Sequence, residues 1–102
     1  MIRKLLGATL LLLFLNVPAT AVEKITVEVL NFSDMDRWVR VTDMVCGTVL
    51  WEDNLDAQRR LPVELCANDG GKGKIELYIR IGCSKNKTIL KDGVEDGATV
   101  QF

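Results

Sequence analysis

From Lys24 onward, apolar and polar residues alternate in short runs separated by turn residues, the period-two pattern of half-buried β-strands. Residues 24–32 (KITVEVLNF) set Ile25, Val27 and Val29 on one face and Thr26 and Glu28 on the other. Leu30 and Phe32 then fall out of phase, which predicts a bulge near Val29 and Leu30. Ser33, Asp34 and Met35 make a tight turn. Residues 36–43 resume the alternation, with Val39 and Val41 on one face and Trp38, Arg40 and Thr42 on the other. Further strands are predicted over 46–53, 60–66, 74–83, 86–91 and 98–102, with turns at 54–58, 67–73 and 92–97. The cleanest is 74–83, where Ile75, Leu77, Ile79 and Ile81 alternate with Lys74, Glu76, Tyr78 and Arg80. Pro62 gives no N–H to a ladder, so its strand is expected at a sheet edge. No helical period occurs after residue 21.

Seven short strands with turns every 8–12 residues predict an all-β chain folded as a single antiparallel β-sandwich. The third and fourth strands flank a turn centred on Asp56, and pairing about that centre sets Val49 opposite Val63, Trp51 opposite Leu61 and Gly47 opposite Leu65. A hairpin there fits a fibronectin-III-like layout, with strands one, two and five in one sheet and three, four, six and seven in the other. An immunoglobulin constant-type layout separates the third and fourth strands and fits less well. The likeness is one of architecture.

Residues 1–21 read differently. Arg3 and Lys4 precede an apolar run from Leu5 to Val17, Pro18 ends it, and Ala19 and Ala21 supply the small residues of a cleavage site before Val22. This predicts a cleaved signal peptide over 1–21 and a secreted protein, periplasmic or extracellular. The run is about 13 residues, against roughly 20 for a spanning helix, so no membrane span is expected after cleavage. The remaining 81 residues, 22–102, make one domain with a marginal core that a covalent staple would help. The leader holds two of the 13 basic residues and none of the 14 acidic ones, which leaves the domain at −3. A mildly acidic domain with mixed signs has no broad basic surface for nucleic acid.

Cys46, Cys66 and Cys83 all follow the leader, so at least one pair is expected to oxidise outside the cytoplasm. The hairpin register puts Cys46 opposite Cys66, at the roughly 4.5–5.5 Å Cα separation of cross-strand neighbours. It favours that disulfide bond over Cys46–Cys83, and Cys66–Cys83 least. The bridge would close a loop of about 20 residues, worth roughly 3 kcal/mol in the chain-entropy model. Cys83 is then a free thiol. Its phase matches the inward residues of its strand, which favours a buried, inert thiol over an intermolecular bond to a partner or second copy. Zinc is not expected, because no C-x-x-C spacing and no histidine completes a ligand set.

No cofactor is implied and catalysis is not expected. The chain has no histidine to act as a base. Ser33 and Ser84 stand alone in turns, and the adjacent carboxylates of Glu52–Asp53 and Glu95–Asp96 point to opposite faces of their strands. Gly70–Lys74 lacks the spacing and following helix of a phosphate loop, and 92–96 lacks the alternating ligands of a calcium loop. Asn31-Phe32-Ser33 and Asn86-Lys87-Thr88 match the N-glycosylation acceptor pattern.

One constellation stands out. If the second and fifth strands pair, Trp38 and Arg40 lie near Tyr78 and Arg80 on the outer face of a sheet, and these residue types dominate binding hot spots. The plainer reading is cross-strand stacking that serves the sheet alone, and the terminal strand is a candidate cover for Trp38. The expectation is a non-enzymatic binding module that acts as a protein-binding adaptor, accessory subunit or inhibitor. The alternatives are a carbohydrate-binding module stacking a glycan on Trp38 and Tyr78, or a homodimer linked through Cys83 rather than a monomer.

Overall fold

A computed structural model describes residues 23–102; the leader predicted over 1–21 lies outside the described residues. Among those described, the chain forms seven strands: β1 (Lys24–Leu30), β2 (Arg37–Asp43), β3 (Thr48–Leu55), β4 (Arg60–Cys66), β5 (Gly73–Arg80), β6 (Asn86–Val94) and β7 (Thr99–Gln101). They build two sheets, ordered β4-β1-β7 and β3-β2-β5-β6. No described helix is long and apolar enough to cross a membrane.

The period-two phase of each strand decides which side chains meet. Ile25, Val27 and Val29 of β1 lie opposite Leu65, Val63 and Leu61 of β4. Val39 and Val41 of β2 lie opposite Ile79 and Leu77 of β5. These rows, with Val100 of β7, Leu55, Ile75 and Val94, form one buried core between the sheets. Trp51, Ile89 and Phe102 pack on its margins. Burying one such side chain contributes about 1.5–3 kcal/mol, so the alternation predicted from sequence carries most of the fold's stability.

Strand pairing departs from the predicted layout. β3 pairs with β2, not with β4, and β4 pairs with β1. Val49 therefore lies opposite Thr42 and Val63 opposite Val27, and the expected Val49–Val63 and Trp51–Leu61 partners sit in different sheets. The reason is that strands facing each other across a core share the inward phase of strands hydrogen-bonded in one sheet. Phase alone does not separate the two cases. β7 runs parallel to β1, so the sheets are not purely antiparallel.

No register shift interrupts β1 at Val29 and Leu30; the strand ends there with both residues buried, and Phe32 is exposed. The irregularities lie elsewhere. Leu50 is the extra residue where the β2–β3 register shifts between Val41 and Thr42. Gly93, at φ 68°, is the extra residue opposite Gly73 and Lys74 of β5. β3 also begins later than predicted, because 44–47 close a turn: Gly47, at φ 70°, donates its N–H to the Asp43 carbonyl at 2.8 Å.

The four sheet edges are blunted. β4 carries Pro62, β7 is three residues long, β3 is bulged, and β6 bears Lys87 and Lys91 in the row that faces the core side.

Candidate functional site

β2 and β5 are neighbours, so Trp38, Arg40, Tyr78 and Arg80 share the outer face of the four-stranded sheet. Arg40 lies directly opposite Tyr78. The Trp38 and Tyr78 rings meet edge to face, with centroids 6.3 Å apart. The Arg40 guanidinium sits 4.9 Å from the Tyr78 centroid and the Arg80 guanidinium 4.1 Å from that of Trp38. The four side chains thus form one continuous stack, Arg40–Tyr78–Trp38–Arg80. Trp38, Arg40 and Tyr78 are half-buried, and Arg80 is exposed.

Each contact is modest, at about 0.5–1 kcal/mol for an exposed cation–π pair and 0.5–1.5 kcal/mol for an aromatic pair. Together they restrain four long side chains in one arrangement. Arg40 is tied further to Glu52 of β3 at 3.4 Å, an exposed pair of little energetic weight. Arg80 makes no ion pair among the described residues. Thr88 lies beside Tyr78 and Asn86 beside Arg80 on β6. β7 belongs to the other sheet, so the terminal strand does not cover Trp38.

The cysteines divide as the pairing expectation had it, though by another route. Cys46 and Cys66 are joined in a disulfide, with Cα atoms 5.9 Å apart. The bond does not cross a hairpin. It links the β2–β3 turn to the end of β4 and so staples one sheet to the other. Cys83 is exposed, against the expectation of a buried thiol. β5 ends at Arg80, and Ile81 and Gly82 donate their N–H groups to the Lys85 carbonyl, so Cys83 rides a loop where strand phase no longer applies.

Among the described residues, Asp43, Cys46 and Cys66 form the one cluster with metal-ligand chemistry. Both sulfurs are consumed in the disulfide, and the carboxylate accepts three backbone N–H groups, from Val45, Cys46 and Cys66. At 92–96 the oxygens are likewise engaged: Asp92 accepts from Gly93 and Asp96 from the Thr26 N–H.

The two acceptor sequences part company. Asn31 is fully buried, and its Nδ2 donates to the carbonyls of Met35 and Leu55, both at 2.9 Å. Its Oδ1 accepts from the N–H and hydroxyl of Ser33. The amide has no hydrogen to spare and no access for a sugar. Asn86 is exposed at the start of β6.

Sequence reasoning missed this polar knot and what it carries. Gln58, at φ 62°, donates through Nε2 to the Phe32 and Ser33 carbonyls, and its N–H donates to that of Asn31. The knot pins the loop after β1 to the turn after β3. It also presents Phe32 and Met35 to solvent, 61% and 57% exposed. The available signal was the out-of-phase Phe32, which strand periodicity assigned to a bulge. No family model, no curated protein and no solved structure matches this chain.

Proposed function

We propose that this protein is an exported, non-enzymatic binding module that docks a partner protein on the outer face of its four-stranded sheet. The observation that carries the reading is the preformed Arg40–Tyr78–Trp38–Arg80 stack. Arg, Tyr and Trp bury large area on binding, and holding them beforehand lowers the entropic cost. Recognition by a face rather than by an added strand agrees with the blunted edges of both sheets. A glycan platform fits less well, because each ring already carries a guanidinium over one face. The export half rests on the leader pattern of residues 1–21. The non-enzymatic half rests on the missing histidine and on Ser33, whose hydroxyl is bound to Asn31 and Met35.

In fold type the domain is read as fibronectin-III-like with its strands counted one place later than the sequence suggested. β1 and β4 then take the places of the layout's second and fifth strands, and β2, β3, β5 and β6 those of its third, fourth, sixth and seventh. β7, running parallel to β1, takes the first strand's place.

The test is capture of a partner from native extract by the wild-type domain, by Trp38→Ala and Tyr78→Ala, and by Glu64→Ala on the exposed surface of β4 as a control. Thermal unfolding followed by far-ultraviolet circular dichroism monitors folding. The expected result is folded variants, with each patch substitution weakening capture roughly 30-fold, the loss of a hot-spot side chain of about 2 kcal/mol, and no effect of Glu64→Ala. Equal capture by all, or unfolding of the patch variants, refutes the site. Exposure of Cys83 favours a second reading, a disulfide-linked dimer. Intact mass without reductant decides it: a doubled mass that collapses on reduction supports the dimer, and monomer mass with a rapidly alkylated thiol refutes it.

A further inference from the structure

Asp43 is the last residue of β2 and is 2% exposed, although it carries a carboxylate. Its Oδ1 accepts the N–H of Val45 at 3.0 Å and of Cys46 at 3.1 Å. Its Oδ2 accepts the N–H of Cys66 at 2.8 Å, across from the other sheet. One side chain therefore holds the backbone of both bridged cysteines. Hydrogen bonds to a buried charged group are among the strongest available to a protein. None of these three bonds needs the sulfur–sulfur bond.

The alternatives for pairing differ little in an unfolded chain. The separations are 20 residues for Cys46–Cys66, 17 for Cys66–Cys83 and 37 for Cys46–Cys83. Loop closure scaling as the −3/2 power of length would give these pairs about 37%, about 48% and about 15% of the product. In the folded chain Cys83 is excluded. Asp43 lies opposite Ile75 near one end of β5, and Cys83 lies beyond Arg80 at the other. At about 3.3 Å per residue that is roughly 16 Å of strand, against a Cα limit near 7 Å for a bridge.

We propose that Asp43 is the positioning residue that selects the Cys46–Cys66 bridge, gathering the two cysteines before their sulfurs oxidise. The oxidant is a small-molecule or protein disulfide. One cysteine attacks it as a thiolate, forms a mixed disulfide and releases one thiolate. The second cysteine attacks the mixed disulfide and releases the other. Two electrons pass to the oxidant and two protons leave the protein thiols.

The experiment equilibrates the domain with reduced and oxidised glutathione, quenches by alkylation, and maps the bridges by mass. Asp43→Ala and isosteric Asp43→Asn are compared with wild type and with Val41→Ala, a core truncation on the same strand that leaves the three hydrogen bonds in place. The effective concentration of the Cys46–Cys66 pair should fall at least about tenfold in both Asp43 variants and stay near wild type in Val41→Ala, because only the former release the cysteine backbones. An unchanged value, or an equal fall in Val41→Ala, overturns the proposal. Should neither Asp43 variant fold when reduced, the products of its oxidation decide. A near-statistical mixture that includes Cys83 from Asp43→Asn, with Cys46–Cys66 alone from Val41→Ala, supports the selection role. A like mixture from Val41→Ala, or Cys46–Cys66 alone from Asp43→Asn, refutes it.

Discussion

Replacing Asn31 with alanine removes the centre of the knot that joins the loop after β1 to the end of β3. The buried Leu55 carbonyl loses its Nδ2 donor, at about 1–3 kcal/mol for an orphaned buried acceptor. The Met35 carbonyl and the Ser33 N–H are nearer solvent and recover part of their loss from water. With the small void left behind, the expected destabilisation is about 3–4 kcal/mol. At roughly 4–8 °C per kcal/mol for a domain of this size, Tm should drop by about 12–32 °C in calorimetry of the oxidised protein. Asn31→Asp sharpens the test, because it keeps the volume but aims a carboxylate at two carbonyls. Burial beside those acceptors raises the carboxyl's folded pKa above its unfolded value of about 3.9. The folded state then holds its proton longer than the unfolded state, so stability falls as pH rises from about 4 towards the raised folded pKa. Below about pH 4 this penalty is absent. A Tm loss under about 5 °C for Asn31→Ala, or an Asn31→Asp stability flat from pH 4 to 7, would refute the role given to this amide.

Gly73 supplies a separate check on packing between the sheets. A Cβ there would stand 3.0 Å from Ile25 Cδ1 and 3.1 Å from Leu65 Cδ1, so Gly73→Ala should overpack the core and cost about 1–3 kcal/mol in urea unfolding; a stabilised variant would mean the side chains there yield freely.

Much of the candidate patch was legible in the chain because it depends on one pairing. Once β2 and β5 are neighbours, the phases of Val39–Val41 and Leu77–Ile79 force Trp38, Arg40, Tyr78 and Arg80 onto a common outer face. The order of the stack, with a guanidinium over each ring, depends on rotamers that the sequence does not specify. The Cys46–Cys66 pairing came from an incorrect hairpin, yet the pair stands. β3 leads away from one end of the domain and β4 returns to it, whether the two lie side by side or in facing sheets. Cys83 was misplaced because inward phase was carried past Ile81 into residues that no longer form a strand.

The sequence by itself determined the inward rows of β1, β2, β4 and β5, since a pleat alternates side chains whatever lies beside it. In β3 the bulge at Leu50 turns Val49, expected on the apolar face with Trp51, to the outer side opposite Thr42, where it is half exposed. The sequence also determined most of the turns that divide the strands, though not the one at 44–47, and the mixed, mildly acidic character of the surface. Only the tertiary structure decided which strands are neighbours, that β7 joins β1 in parallel, and that Asp43, Cys46 and Cys66 converge from two sheets. It also decided that one acceptor-pattern asparagine is a buried knot while the other stands in solvent. These are long-range facts. They follow from closing loops and burying polar groups with partners far along the chain, and period-two alternation is the same for a strand beside its partner and one facing it across the core.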